Sequence, residues 1–126
     1  MKVTTLGIIV GILAAMFIGN VRAHDAMHPD QDEWYRTLMM PDAPYAPCCG
    51  KADAYWCDGL NVIEGKTYCT ITDDRIVPGR TPVPMGTQIE IPDIKLKWDR
   101  GNPTGHAVVF LSSNGSVYCF VQSSGT

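Results

Sequence analysis

The stretch VVFLSSNGSVYCFV (residues 108–121) consists of two apolar runs that meet at an Asn-Gly pair. Asn-Gly between apolar runs is the strongest short signal for a β-hairpin with a two-residue loop. Such a loop fixes the register, so Phe110 should face Cys119 and Leu111 should face Tyr118. Because both faces of this hairpin are apolar, we expect it in the middle of a sheet that is covered on both sides.

Two further segments with period-two patterning lie upstream of this hairpin. Residues 60–63, the pair Glu64-Gly65 and residues 66–71 predict a second hairpin. Residues 87–98 alternate again, and Pro92 is expected to break that run or to mark a sheet edge. The connection between them, residues 73–86, carries three prolines and should lie on the surface.

One short helix is predicted near the start of the domain, over Asp30 to Met39. Trp34 and Leu38 stand four residues apart on one face, and Pro41 stops the helix. A helix this short is unstable alone in water, so its apolar face should pack on the sheet. Residues 41–54 are expected to form a loop. The predicted fold class is mainly β: a small antiparallel sheet or partial barrel with one short N-terminal helix, stabilised by disulfides.

The N-terminal residues 1–23 predict a secretory signal peptide. Lys2 supplies the positive start, residues 6–18 form an uncharged apolar run, and Val21-Arg22-Ala23 fits a cleavage site. The alternative is a retained membrane anchor, since residues 3–21 carry no charge and are long enough to span a bilayer. With cleavage, residues 24–126 form one domain in the periplasm or outside the cell.

The charge balance limits the partners of that domain. Without the two basic residues of the leader, eight Lys and Arg face thirteen Asp and Glu. A phosphate backbone requires a basic stripe, so no nucleic-acid partner is expected. Membrane contact is expected only if the leader is retained. The remaining partners are a protein or a carbohydrate ligand in the cell envelope.

All five cysteines follow the leader, and an oxidising compartment favours disulfides. An odd number predicts two bridges and one thiol. The bridges are assigned to Cys48, Cys49, Cys57 and Cys119, with one bridge closing locally at Cys57 and the other reaching Cys119. Cys69 is the expected thiol. The bridge to Cys119 closes a loop of about 70 residues and should stabilise the fold by about 4 kcal/mol.

A metal site is the alternative to a domain without a cofactor. Cleavage after Ala23 would place the free amine of His24 beside its own imidazole, and these two nitrogens can chelate copper. His28 or His106 would supply a further nitrogen, and nearby methionines suit reduced copper. This arrangement predicts a copper-binding or copper-dependent redox protein.

Catalytic motifs give little support for an enzyme. The sequence contains neither the G-x-S-x-G nor the H-E-x-x-H pattern. A small hydrolase built on Asp73, Asp74 or His106 is a third hypothesis, and it requires these side chains to converge in a concave pocket. A non-enzymatic binding module is the favoured interpretation.

Aromatic residues flank the cysteine-containing loop and predict a binding surface. They are Tyr45, Tyr55 and Trp56. An exposed aromatic cluster beside a disulfide-held loop suits a sugar or a partner protein. The alternative is that the three side chains fill a small core.

Several motifs together resemble a group of small exported bacterial proteins without an assigned activity. The motifs are His24-Asp25, Trp34-Tyr35, the Cys48-Cys49 doublet with Cys57, Asn102-Pro103-Thr104-Gly105 before Ala107-Val108-Val109, and Cys119-Phe120-Val121 with Gly125. The resemblance spans most of residues 24–126. It implies export and four paired cysteines, and it implies no reaction. This chain departs from the pattern at Cys69 and in the longer gap between Cys49 and Cys57.

Overall fold

The computed structural model describes residues 28–123. The predicted signal peptide, its cleavage site and His24 lie outside the described residues. No helix within residues 28–123 has the length and hydropathy that crossing a bilayer requires.

The secondary structure is mostly strand. A 3₁₀ turn (Pro29–Gln31) leads into α1 (Asp32–Thr37). The strands in chain order are β1 (Met39–Met40), β2 (Ala43–Pro47), β3 (Ala52–Ile63), β4 (Lys66–Ile71), β5 (Gln88–Ile91), β6 (Leu96–Lys97), β7 (Val108–Ser112) and β8 (Val117–Val121). A second 3₁₀ turn (Asp93–Lys95) separates β5 from β6.

Two sheets organise these strands. β1 and β2 pair as a small antiparallel sheet, and the six other strands pair in the order β5-β4-β3-β7-β8-β6. All pairs in the larger sheet are antiparallel except β6 beside β8. This sheet curls into a half-barrel, and the predicted fold class is confirmed.

The β7–β8 hairpin lies inside the sheet as predicted, but its loop differs. Phe110 pairs with Cys119, whereas Leu111 pairs with Val117 instead of Tyr118 because the register shifts there. The loop has three residues: the Gly115 N–H donates to the Ser112 carbonyl at 2.9 Å, and Gly115 has a φ of 90°. Three-residue hairpin loops commonly end in a left-handed glycine. Next to the loop the Ser112 N–H donates to the Ser116 carbonyl, so the register differs by one residue from the predicted one, and the irregularity between Leu111 and Phe110 restores the predicted pairing of Phe110 with Cys119.

The helix is shorter than predicted. Residues 30–31 belong to the 3₁₀ turn, and the α-helical part ends at Thr37. Tyr35 is its buried side chain, Leu38 directly after the helix is buried too, and Trp34 is only partly buried. The predicted loop over residues 41–54 is also wrong in part, because it contains β2 and the first residues of β3.

Two apolar clusters occupy the two faces of the larger sheet. On one face Tyr35, Leu38 and Cys48 pack on side chains of β3, β7 and β8, including Phe110. The other cluster is built mainly from strand residues, and it brings Ile91 of β5 into the same core as Leu96 of β6. Strands from opposite ends of the sheet order meet there because the sheet curls around their side chains.

Candidate functional site

A polar cluster ends the ladder between β3 and β7. Asp58 Oδ1 accepts the backbone N–H of Ala107 at 2.9 Å. Its other oxygen, Oδ2, lies 2.8 Å from Nδ1 of His106 and accepts the Thr72 hydroxyl at 2.6 Å. Beyond the pair Trp56–Val108, the Cys57 N–H still donates to the Ala107 carbonyl at 2.8 Å, but the Asp58 carboxylate takes the place of the Cys57 carbonyl as the acceptor for the Ala107 N–H. Asp58 and His106 each remain about one-third exposed, so solvent reaches this pair.

The indole of Trp56 lies between a histidine and an arginine. The His106 ring stacks on it with centroids 4.0 Å apart and planes 12° apart. The Arg75 guanidinium carbon lies 3.6 Å from the indole centroid. Arg75 follows β4 and His106 precedes β7, and these strands flank β3, so the two groups approach the indole from opposite sides. Trp56 thereby fixes the plane of the imidazole that Asp58 orients.

A buried carboxylate anchors the connection between β4 and β5. Asp73 Oδ2 accepts from Arg75 Nη2 at 2.8 Å, from Arg80 Nη1 at 2.9 Å and from the Trp56 N–H at 3.2 Å. Oδ1 accepts from the N–H and Nε of Arg75. Arg80 also donates to the Ala54 carbonyl. The long connection is therefore fixed to β3 through one acidic side chain.

The hydrogen bonds set the charge state of both carboxylates. Burial by itself would raise the pKa of Asp73, but donation from Arg75, Arg80 and two backbone N–H groups outweighs it and holds the pKa well below the ordinary range. The pKa of Asp58 is lowered in the same way: burial by itself would raise it, but hydrogen bonds from Thr72, the Ala107 N–H and His106 outweigh that effect. Both groups are carboxylates at neutral pH, so neither is a proton donor there.

The end of the β3–β4 hairpin carries exposed apolar side chains on β3, and we call residues 59–68 the hairpin arm; its β4 strand pairs with β5 at Thr67 and Tyr68. Residues 59–63 are all exposed, including Leu60 and Val62 at 44% and 67%. At the tip, Glu64 and Gly65 have φ values of 52° and 80°, which are the values of a type I′ turn. At the base, a disulfide joins β3 to β4. The arm thus presents exposed apolar side chains on a backbone that is restrained at both ends.

The disulfides correct the cysteine assignment. Cys48 bonds to Cys119, which confirms the predicted bridge to the last strand. Cys57 bonds to Cys69, so the assignment of Cys69 as the thiol is wrong. The thiol is Cys49, which was wrongly placed in a bridge. β3 and β4 are neighbouring strands, and Cys57 lies opposite Ile71, close enough for the Cys69 sulfur to reach it.

Cys49 is shielded in the core beneath α1. Its sulfur donates to the Tyr35 carbonyl at 3.3 Å. Burial, with a smaller contribution from the charge of Asp32, raises the pKa of the thiol to about 12. The thiolate is the form that attacks disulfides. Because the raised pKa leaves little thiolate at neutral pH, Cys49 should exchange only slowly with the disulfide of its neighbour Cys48.

Two of the three predicted metal ligands, His28 and His106, lie within the described residues. His106 binds Asp58, His28 precedes the first 3₁₀ turn, and His24 lies outside residues 28–123. Within residues 28–123, no three His, Cys, Asp or Glu side chains are grouped so that they could hold a metal ion. His106 does have one feature of a metal ligand, since ligating histidines usually contact a carboxylate through their second nitrogen.

The predicted aromatic surface is divided by the fold. Tyr45 on β2 is 88% exposed, whereas Tyr55 is only 3% exposed and belongs to the strand-built core. Successive strand residues point to opposite faces, so Trp56 lies on the other face of β3, stacked on His106. The three side chains therefore do not form one exposed cluster.

The hydrolase hypothesis requires Asp73, Asp74 and His106 to lie together, and the structure gives each of them a different environment. Asp73 is held by two arginines, Asp74 is exposed, and the carboxylate beside His106 is Asp58. Among the contacts of residues 28–123, no hydrogen bond or ion pair joins any two of the three predicted side chains.

Sequence reasoning missed Asp58, Thr72, Arg75 and Arg80. The one available signal was the alternation of Ala52, Ala54 and Trp56, which extends β3 upstream of its predicted start. That extension would have placed Asp58 inside a strand, where an acidic residue requires a partner. The partner itself lies 48 residues away in the chain and has no local signature.

Comparison of the chain with family models, with curated proteins and with solved structures found no match.

Proposed function

We propose that this protein is an exported, disulfide-stabilised binding module that contacts a partner protein through its hairpin arm. The observation that carries this proposal is the exposure of five consecutive residues, 59–63, three of which are large and apolar. Single exposed apolar residues are ordinary on protein surfaces. Several on one short exposed segment are typical of an interaction site.

The rigidity of the arm supports the same proposal. Ordering a flexible loop on binding costs conformational entropy, which lowers affinity. In the arm, the Cys57–Cys69 disulfide and the Glu64-Gly65 turn fix the conformation before a partner arrives. A partner would therefore meet Leu60, Val62 and Ile63 already in place.

Export is supported by the two disulfides, because such bonds persist in oxidising compartments. The intact mass of protein purified from its native host tests it. We expect a chain that begins at His24 and lacks four hydrogens. A chain that retains Met1 and five reactive thiols would contradict export.

A matched pair of variants tests the arm. We would replace Leu60 and Val62 together by Ser, and as the control replace Ile76, which is 93% exposed in the β4–β5 connection. Proteins captured from the envelope fraction by the wild type should also be captured by Ile76→Ser, and at least tenfold less by the double variant. Equal capture by all three would refute a role for the arm.

Copper binding is the second candidate function. It is favoured by the Nδ1 contact of His106 with Asp58, which would leave the other ring nitrogen for a ligand. In addition, the Gln31 amide donates to the Pro103 carbonyl at 3.4 Å, so the N-terminal turn contacts the loop that leads to His106. Correctly processed protein would be titrated with Cu(II) and Cu(I), with His24→Ala and His106→Ala as variants. Affinity no better than micromolar, or no effect of either variant, would remove this candidate.

A further inference from the structure

Part of β3 has an open edge. β7 pairs with β3 from Ala52 to Trp56, one further backbone bond joins the Cys57 N–H to the Ala107 carbonyl, and the Asp58 side chain then ends that ladder. β4 continues along the other side of β3 to Ile63. Within residues 28–123, no strand pairs with residues 59–63 on the side away from β4. An edge of this kind is a template for pairing with another chain.

The register shows which backbone groups this edge presents. Ile63 and Lys66 flank a two-residue loop, and such a pair exchanges its hydrogen bonds. Hydrogen-bonded and non-bonded pairs alternate in an antiparallel ladder, so Val62 belongs to a non-bonded pair with respect to β4. The N–H and the carbonyl of Val62 therefore point towards the open edge.

The side chains on this edge alternate as a strand partner requires. Gly59 and Leu60 together oppose Cys69, which is a β-bulge with Gly59 at a φ of 69°. After the bulge, Leu60 and Val62 lie on the face of Cys69, and Ile63 lies on the opposite face. Residues 59–63 contain neither Pro nor Lys, the residues that usually protect an edge from pairing.

The charges at the ends of the edge indicate the chemistry of its occupant. Asp58 precedes it and Glu64 follows it, while Lys66 lies across on β4. The whole chain carries a formal charge of -3. A second copy that paired antiparallel about Asn61 would place Asp58 opposite Glu64 of its partner at both ends, and like charges directly opposite are destabilising. An apolar strand with basic ends has no such repulsion.

We infer that the partner adds an extended strand to residues 59–63 of β3, and that this strand is apolar at alternate positions with basic residues at its ends. This inference rests on the proposed function, because it names the way in which the arm binds. Backbone hydrogen bonds to Val62 would supply affinity, and contacts with Leu60 and Ile63 would supply specificity.

A proline substitution tests the backbone pairing. Val62→Pro removes the N–H that faces the open edge and leaves the bonds to β4 intact, and proline is tolerated at such an edge position. Val62→Ala is the matched control, because it shortens the side chain and keeps the N–H. The probe is a synthetic peptide of alternating Val and Thr with two Lys at each end. Circular dichroism and intact mass would confirm that both variants keep the fold and both disulfides.

We expect the peptide to shift the backbone amide resonances of residues 59–63 and to bind Val62→Pro about fivefold more weakly than Val62→Ala, the effect of one hydrogen bond. The wild type should bind a peptide with Glu in place of Lys more weakly than it binds the Lys peptide. Equal binding to both variants, or no binding to the wild type, would overturn strand addition. Self-association of the wild type that Val62→Pro abolishes would overturn it too, since a second copy would then occupy the edge.

The two proposals can fail separately. Loss of partner capture in the Leu60 and Val62 double Ser variant, together with full capture by Val62→Pro, would retain the binding module and reject strand addition. Full capture by the double variant would reject the binding role of the arm.

Discussion

An Asp73→Asn variant should lose about 3 kcal/mol of unfolding free energy at pH 7. The wild-type carboxylate is fully buried and pairs with Arg75 at 2.8 Å and with Arg80 at 2.9 Å. Asn has nearly the same shape but leaves both guanidinium groups without a counter-charge at side-chain exposures of 12% and 8%. Removing one partner of a buried ion pair lowers the unfolding free energy by about 3–5 kcal/mol. The lower end applies because Arg80 keeps its backbone carbonyl acceptors and Arg75 keeps its contact with Trp56.

The destabilisation caused by Asp73→Asn should be smaller at acidic pH than at pH 7. Because the folded-state pKa of Asp73 is depressed, its stabilisation is complete above the unfolded value of about 3.9 and is lost as the pH falls towards the folded value. At pH 3 the unfolded chain has largely taken up the proton, whereas the folded chain has not. The difference between wild type and Asp73→Asn should therefore be smaller by about 1 kcal/mol at pH 3 than at pH 7.

Urea denaturation of the oxidised protein at both pH values measures these differences. Asp74→Asn is the control, since Asp74 is the exposed neighbour and its replacement should change the unfolding free energy by less than about 0.5 kcal/mol. A loss below about 1 kcal/mol for Asp73→Asn, or a loss that grows in acid, would refute the role given to the buried carboxylate.

Three further predictions concern the thiol, the arm and the last hairpin. At pH 8 the Cys49 thiol, with its pKa of about 12, should react with iodoacetamide on the order of a thousandfold more slowly in the native protein than in denaturant, and similar rates would contradict its burial. Replacing Cys57 and Cys69 together by Ala should cost about 3 kcal/mol in urea denaturation, the value for a loop of 12 residues, and an unchanged midpoint would show that the bridge contributes nothing. Gly115→Ala should lower the unfolding free energy by about 1 kcal/mol because φ is 90°, with Gly50→Ala as a control at which φ is not positive.

Local signals predicted the elements that depend on neighbouring residues. The Asn-Gly pair at 114–115 located the last hairpin and placed Phe110 opposite Cys119. Glu64-Gly65 likewise located the turn between β3 and β4. The exact loop type was not predictable, because a three-residue loop with a left-handed glycine uses the same residues as a two-residue loop.

Contacts between distant segments were not predictable from the same signals. The choice between Cys57–Cys69 and a bridge from Cys49 depends on β3 starting at Ala52 rather than at Leu60. Asp58 and His106 meet only because β3 and β7 are neighbours in the sheet. The spacing of residues along the sequence does not indicate that these two strands pair. The open edge follows from the unequal lengths of the same two strands, which become apparent only when they are paired.

The Cys48–Cys119 bond also determines how the domain would respond to mechanical force. It joins residues 71 positions apart, and the whole hairpin arm lies within the closed loop. A pull applied to the two termini would travel through this covalent link and bypass the intervening strands. About 240 Å of chain would thus be withheld from extension, so the arm would keep its shape under tension until a reductant cut the link.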